Sequence, residues 1–358
     1  MRRKKPAEKT NGKLDQLKFI YLLTIILCFL SFGCANNHPP IPSPQPQNAS
    51  KELIRVWTTL PVEWIQTALA AYLKDNPQDD IEFQVVSVGN ENLQLLKQLP
   101  LEERPHLLFA SSEELSTITN DHVLTAVVTE NSDMLPPGLH DENYYWTGIW
   151  VDPYVVVVNR EYSRQVGQIA LSSWQDVLFR TKPTMAICDP LAIPETAAFF
   201  FSWASHNGDD GKMFDELSAL HALTKQYSRF ASTPVKLVGI GDSSAAITLS
   251  STFYAHKDKQ YPLYACRPDP GGPVRLLGIA LVQVDAQDKE KYASLVNWLL
   301  ELGPFNQRFE TEKGVFSVHQ AVENSDLLEQ WWFNTQYLDQ SKQQLFMRNW
   351  LERVRFGK

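Results

Sequence analysis

From Leu53 onward, segments of strand character alternate with segments of helical spacing. That order restricts the chain to a largely parallel sheet with helices on both faces. Leu53 to Trp57 is a short apolar strand, and Pro61 to Leu73 carries Trp64, Ala68, Ala71 and Tyr72 at helical spacing. Ile81 to Val85 alternates with period two, Leu93 to Leu99 reads as a helix, and His106 to Ala110 is a buried strand. Ser111 and Glu114 then form a capping-box pattern that starts a further helix. The pattern resumes with a strand over Tyr154 to Val158 and a second capping pattern at Ser172-Ser173-Trp174-Gln175. A strand over Met185 to Cys188 precedes an apolar helix from Pro194, with proline in its first turn. Ala245 to Leu249, Pro262 to Cys266 and Leu276 to Val282 are later strands, and helices around Lys289 to Leu302 and Gln343 to Val354 finish the chain.

The segment ahead of this body has a different logic. Arg2, Arg3, Lys4, Lys5, Lys9, Lys13 and Lys18 precede an apolar run of fifteen residues, Phe19 to Gly33. That is the layout of a signal peptide over residues 1–33, too short for a retained spanning helix, which needs roughly 20 residues. The run ends in Leu30-Ser31-Phe32-Gly33-Cys34. This resembles a bacterial lipobox, which implies cleavage before Cys34 and a diacylglyceryl thioether on it; Ser31 and Phe32 depart from the usual pattern. Residues 35–50 hold five prolines and no Lys, Arg, Asp or Glu, so residues 34–50 read as a lipidated cysteine and an extended tether.

The full chain has a net charge of −8, and seven basic against two acidic residues before Cys34 leave the remainder at −13. So acidic a body argues against nucleic acid, whose binding needs Lys and Arg at the phosphates. Only Cys188 and Cys266 remain beyond Cys34, which allows either a disulfide or two buried thiols. The enzyme class finds no support: there is no Gly-x-Ser-x-Gly elbow, no His-Glu-x-x-His and no Walker loop, and Gly239-Ile240-Gly241 lacks a third glycine. The histidines have no ligand spacing, so neither a metal nor a cofactor is expected.

Several short motifs follow one another along the body: Trp57-Thr58-Thr59 closing the first strand, Ala110-Ser111-Ser112, Trp146-Thr147-Gly148, Ser173-Trp174-Gln175-Asp176 and the Asp189-Pro190 turn. Gly241-Asp242, Pro268-Asp269-Pro270-Gly271-Gly272, Gly278 to Val282, Val296-Asn297-Trp298-Leu299 and Phe305-Asn306-Gln307 complete the set. In their order and spacing they resemble the type II periplasmic binding proteins, specifically the extracellular solute-binding family of ABC transporters that includes ferric-iron, phosphonate, thiamine and polyamine receptors.

The resemblance implies two α/β lobes, each a mostly parallel sheet flanked by helices, joined by two crossing strands. Residues 51–148 with 275–358 would form one lobe and residues 149–274 the other. It also implies a monomer that takes a small-molecule or oxyanion ligand, an ABC transporter permease as partner, and a place on the outer face of the cell membrane through the lipid anchor. A sensor of the same fold, signalling to a membrane partner, is the competing reading.

Ligands of open α/β sheets sit beyond the carboxyl ends of the strands, which nominates Thr58, Thr59, Ser111, Ser112, Thr196, Asp242 and Ser243. Hydroxyls at helix starts suit an oxyanion, although Ser and Thr are equally the usual caps. Trp146 is a candidate for stacking on an organic ligand, whereas Trp57 and Trp150 fall in apolar strands and read as core. Ferric receptors of the family place adjacent tyrosines after the strand that here is Ala245 to Leu249, and this chain has Phe253-Tyr254 there. A single phenolate argues against iron and leaves Tyr254 as a ligand contact only.

Overall fold

The computed structural model describes residues 51–166, 171–208, 210–257, 261–283, 289–301, 303–334 and 339–357. The expected signal peptide, Cys34 and tether lie outside the described residues.

Two long antiparallel strands organise the body, β5 (Trp146–Asn159) and β10 (Gly272–Val282). On one side, β1 (Glu52–Thr58) pairs in parallel with β2 (Ile81–Ser87) and β3 (Leu107–Ser111), and β3 runs antiparallel to β10. On the other, β6 (Met185–Cys188) pairs in parallel with β7 (Thr224–Ser228) and β8 (Ala245–Leu249), and β8 runs antiparallel to β5. The strand order is β2-β1-β3-β10-β5-β8-β6-β7. Four short strands join at its margins: β4 (Leu124–Thr125), β9 (Leu263–Cys266), β11 (Phe316–Ser317) and β12 (Trp331–Trp332). The result is two α/β lobes joined by β5 and β10.

The crossing has a chemical cause. β5 pairs with β10 up to Pro153 and with β8 from Tyr154. Proline lacks the N–H a central ladder needs, so it is tolerated where the strand passes from one sheet to the next. Each half of β5 is buried on both faces: Tyr154, Val156 and Val158 enter one core and Val155 and Val157 another.

Three apolar clusters follow. The first, in lobe 1, holds Trp150, whose Nε1 donates to Asn306 Oδ1 at 3.1 Å, packed on Phe309. The second packs Phe199, Phe200 and Trp203 of the apolar helix against Trp350 and Phe346 of the C-terminal helix. The division expected from sequence therefore needs two corrections. The crossing falls at Pro153-Tyr154 rather than after Gly148, and the C-terminal helix (Gln340–Trp350), expected with lobe 1, buries its aromatic face in lobe 2.

Most predicted elements match the observed ones to within a few residues, and β6 and β8 match at both ends. Cys188 and Cys266 are free thiols, each beside a backbone carbonyl.

Candidate ligand-binding cleft

A cleft of about 720 Å³ opens where the two lobes meet the crossing strands. Its walls follow from strand direction. In lobe 1, β1 ends at Thr58, and the chain turns through Thr59, Leu60 and Pro61 into helix α1 (Val62–Asp75). In lobe 2, β6 ends at Cys188 and leads to helix α2 (Pro194–Asn207), while β8 ends at Leu249 and leads to the short helix α3 (Ser250–Tyr254). Thr59, Glu63, Ser87, Cys188, Thr196 and Ser251 line the space from the lobes. Asp152, Tyr154, Arg275 and Leu277 line it from the crossing strands.

The floor is a buried charge network. Arg275 stands opposite Asp152 in the β5–β10 register. Its guanidinium lies 3.3 Å from Glu195 Oε1 of lobe 2 and 3.6 Å from Glu114 Oε2 of lobe 1, so one side chain on a crossing strand joins both lobes. These carboxylates raise the Arg275 pKa despite its burial. Glu114 Oε2 also accepts from Ser111 N at 2.9 Å, from Ser111 Oγ and from Thr59 Oγ1. Asp152 is 2 % exposed and accepts from Ser251 N at 3.1 Å and from the Ser251 hydroxyl. Burial pushes its carboxyl up to about 6, against the lowering effects of Ser251 and Arg275. Tyr154 donates its hydroxyl to the Glu195 carbonyl, and burial raises its pKa. Burial likewise raises the Cys188 thiol to about 11, so it is no nucleophile at neutral pH.

The residues nominated from sequence divide sharply. Thr59 and Thr196 line the cleft. Thr58 is buried, its hydroxyl turned back onto Leu60. Ser111 caps its helix and faces a neighbouring cavity of about 340 Å³ on the far side of Arg275. Ser112 and Trp146 are buried away from the cleft. Asp242 pairs with Lys225 at 2.8 Å on the surface, and Ser243 is buried beside it. Both precede β8, which runs parallel to β6, so they stand at the amino end of the strands, opposite the cleft. Tyr254 is covered by Lys257, 4.0 Å from its ring centre, and does not line the cleft.

Sequence reasoning missed Asp152, Glu195, Ser251, His256 and Arg275. A signal was available for two of them: Asp152 and Arg275 are the only Asp, Glu, Lys, Arg or His in their strands.

Neither a family model nor a curated protein matches the chain. Solved structures do. The ferric iron-binding protein A of Mannheimia haemolytica, in an open conformation, superposes with a TM-score of 0.65 at 16% identity, over 86% of this chain and 99% of that one. This chain has the fold of a type II periplasmic binding protein. AfuA of Actinobacillus pleuropneumoniae, a periplasmic binding protein with fructose-6-phosphate bound, gives 0.64 at 16% identity over 86% and 99%. A two-component system protein that mediates signal transduction gives 0.61 at 20% identity over 83% and 99%.

Proposed function

We propose that the chain is an extracytoplasmic solute-binding lipoprotein. It captures a small polar ligand between its lobes and delivers it to the permease of an ABC transporter, with Cys34 diacylated as its membrane anchor. The observation that carries this reading is the composition of the cleft: Thr59 from lobe 1, Thr196 and Ser251 from lobe 2, and Asp152 and Arg275 from the strands between them. A ligand that touches both lobes couples its binding to hinge closure at the Pro153 crossing, and closure excludes water and presents a new surface to the permease. Binding, rather than catalysis, suits a cleft whose thiol is held protonated and whose Glu195 and Asp152 carboxylates lie against Arg275 and Ser251.

A thermal-shift panel of oxyanions, amino acids, amines, polyols and metals on the full-length protein tests capture. A ligand at 100 times its dissociation constant adds about 2.7 kcal/mol of stability. No shift with any compound counts against the reading. Mass spectrometry of the mature N-terminus tests the anchor, where an unmodified start at another residue rejects it.

Sensing is the second reading, favoured by the likeness to the two-component system protein. Ligand-dependent pull-down of a membrane kinase instead of a permease selects it.

A further inference from the structure

Hydroxyl hydrogens on both walls of the cleft are already committed to the protein. Thr59 Oγ1 donates to Glu114 Oε2 at 2.8 Å. Ser251 gives both its N–H and its hydroxyl hydrogen to Asp152. A hydroxyl owns one hydrogen, so once that is given it offers a ligand only lone pairs. His256, 7 % exposed and lining the same cleft, places Nδ1 2.9 Å from the Thr252 carbonyl. A carbonyl only accepts, so Nδ1 carries the ring hydrogen, and Nε2 of the neutral ring is an acceptor. That Nε2 has no partner among the described residues. The carboxylates of Glu63 and Glu195 add further acceptors. Arg275, the strongest donor in the lining, faces Glu195 at 3.3 Å and Glu114 at 3.6 Å, which engage part of its five N–H groups.

We infer that the cleft is built for a hydrogen-bond donor: Thr59, Ser251 and His256 present acceptors to a ligand rich in O–H or N⁺–H groups, a polyol or a protonated amine. An acceptor-only anion would leave those buried lone pairs unmatched, and sites built to hydrogen-bond a donor reject analogues that lack it. The inference rests on the capture reading and names the class of ligand. It also turns against the oxyanion that the helix-start hydroxyls suggested from sequence, because those hydroxyls spend their hydrogens internally.

Four compounds with the same four-carbon backbone test it by calorimetry on the full-length protein: 1,4-diaminobutane, erythritol, succinate and 1,4-dimethoxybutane. The diamine or erythritol should bind at least about tenfold more tightly than succinate and the diether. Whichever of the two is preferred identifies ammonium or hydroxyl as the donor. Ser251→Ala should weaken the preferred compound about five- to tenfold, and Ser251→Thr, which keeps the hydroxyl, should restore it. Thr59→Val is the second variant should Ser251→Ala fail to fold, and the same loss is expected. Succinate binding as tightly as the donors overturns the inference while leaving capture intact. So does a donor preference unchanged in both Ser251→Ala and Thr59→Val. Absence of binding by all four overturns the inference, and the thermal-shift panel decides capture separately.

Discussion

Replacing Arg275 with methionine tests the network that ties the lobes to the crossing strands. At an effective dielectric constant of about 20, a unit pair interacts by about 5 kcal/mol at the 3.3 Å to Glu195 and about 4.6 kcal/mol at the 3.6 Å to Glu114. Desolvation of the guanidinium offsets much of that sum, and breaking a buried pair from one side leaves a net loss of about 3–5 kcal/mol. A loss of that size is a large fraction of a typical domain's stability, about 5–15 kcal/mol. Urea unfolding at pH 8 should therefore show a midpoint well below that of the parent. The deficit should also shrink toward pH 5. Without the guanidinium, Asp152 holds its proton to higher pH in the folded chain than in the unfolded one, so acid restores stability. The double variant Glu114→Gln with Arg275→Met should lose less than the two single losses added, because each removes the same contact. A loss below about 1 kcal/mol that is also independent of pH would refute the reasoning.

Asp152 gives a second pH test. Its folded pKa of about 6 lies above the ordinary 3.8, so the folded chain binds more protons in that window. This group's contribution is therefore complete below pH 3.8 and lost as the pH rises through about 6, by at most about 3 kcal/mol. Asp152→Asn lacks that slope, so its stability relative to the parent should climb from pH 4 to pH 7 in urea titrations; a constant difference contradicts the assignment. Thr196→Ala should weaken ligand binding by about 1–3 kcal/mol, whereas Ser112→Ala, buried outside the cleft, should change melting temperature without changing affinity in calorimetry. Ferric ion should give no visible phenolate charge-transfer band, since Phe253 stands where a second tyrosine is needed and Tyr254 is turned under Lys257. A tight coloured complex would reverse that conclusion.

Much of the fold could be read from local pattern, because β6 and β8 are short, mostly apolar runs and Ser111 with Glu114 forms the capping box it spells. The C-terminal helix was misplaced because its apolar stripe, Phe346, Trp350 and Val354, says that it packs but not on which lobe. The site was harder to see. Strand ends nominate Thr59 and Thr196, which line the cleft, whereas Asp242 and Ser243 stand at the amino end of β8, a direction set by its parallel pairing with β6 far away in sequence. Asp152 and Arg275, 123 positions apart in sequence, meet only through the β5–β10 register, which no local spacing encodes.

Hydrogen exchange with and without the ligand found by the panel tests capture between the lobes most directly. Saturating ligand should protect the Thr59–Trp64 turn of lobe 1 together with the Ser250–His256 and Ile193–Thr196 segments of lobe 2, in the same molecules and over the same concentration range. Protection confined to one lobe, or centred on Asp242-Ser243, would contradict a ligand held in the cleft.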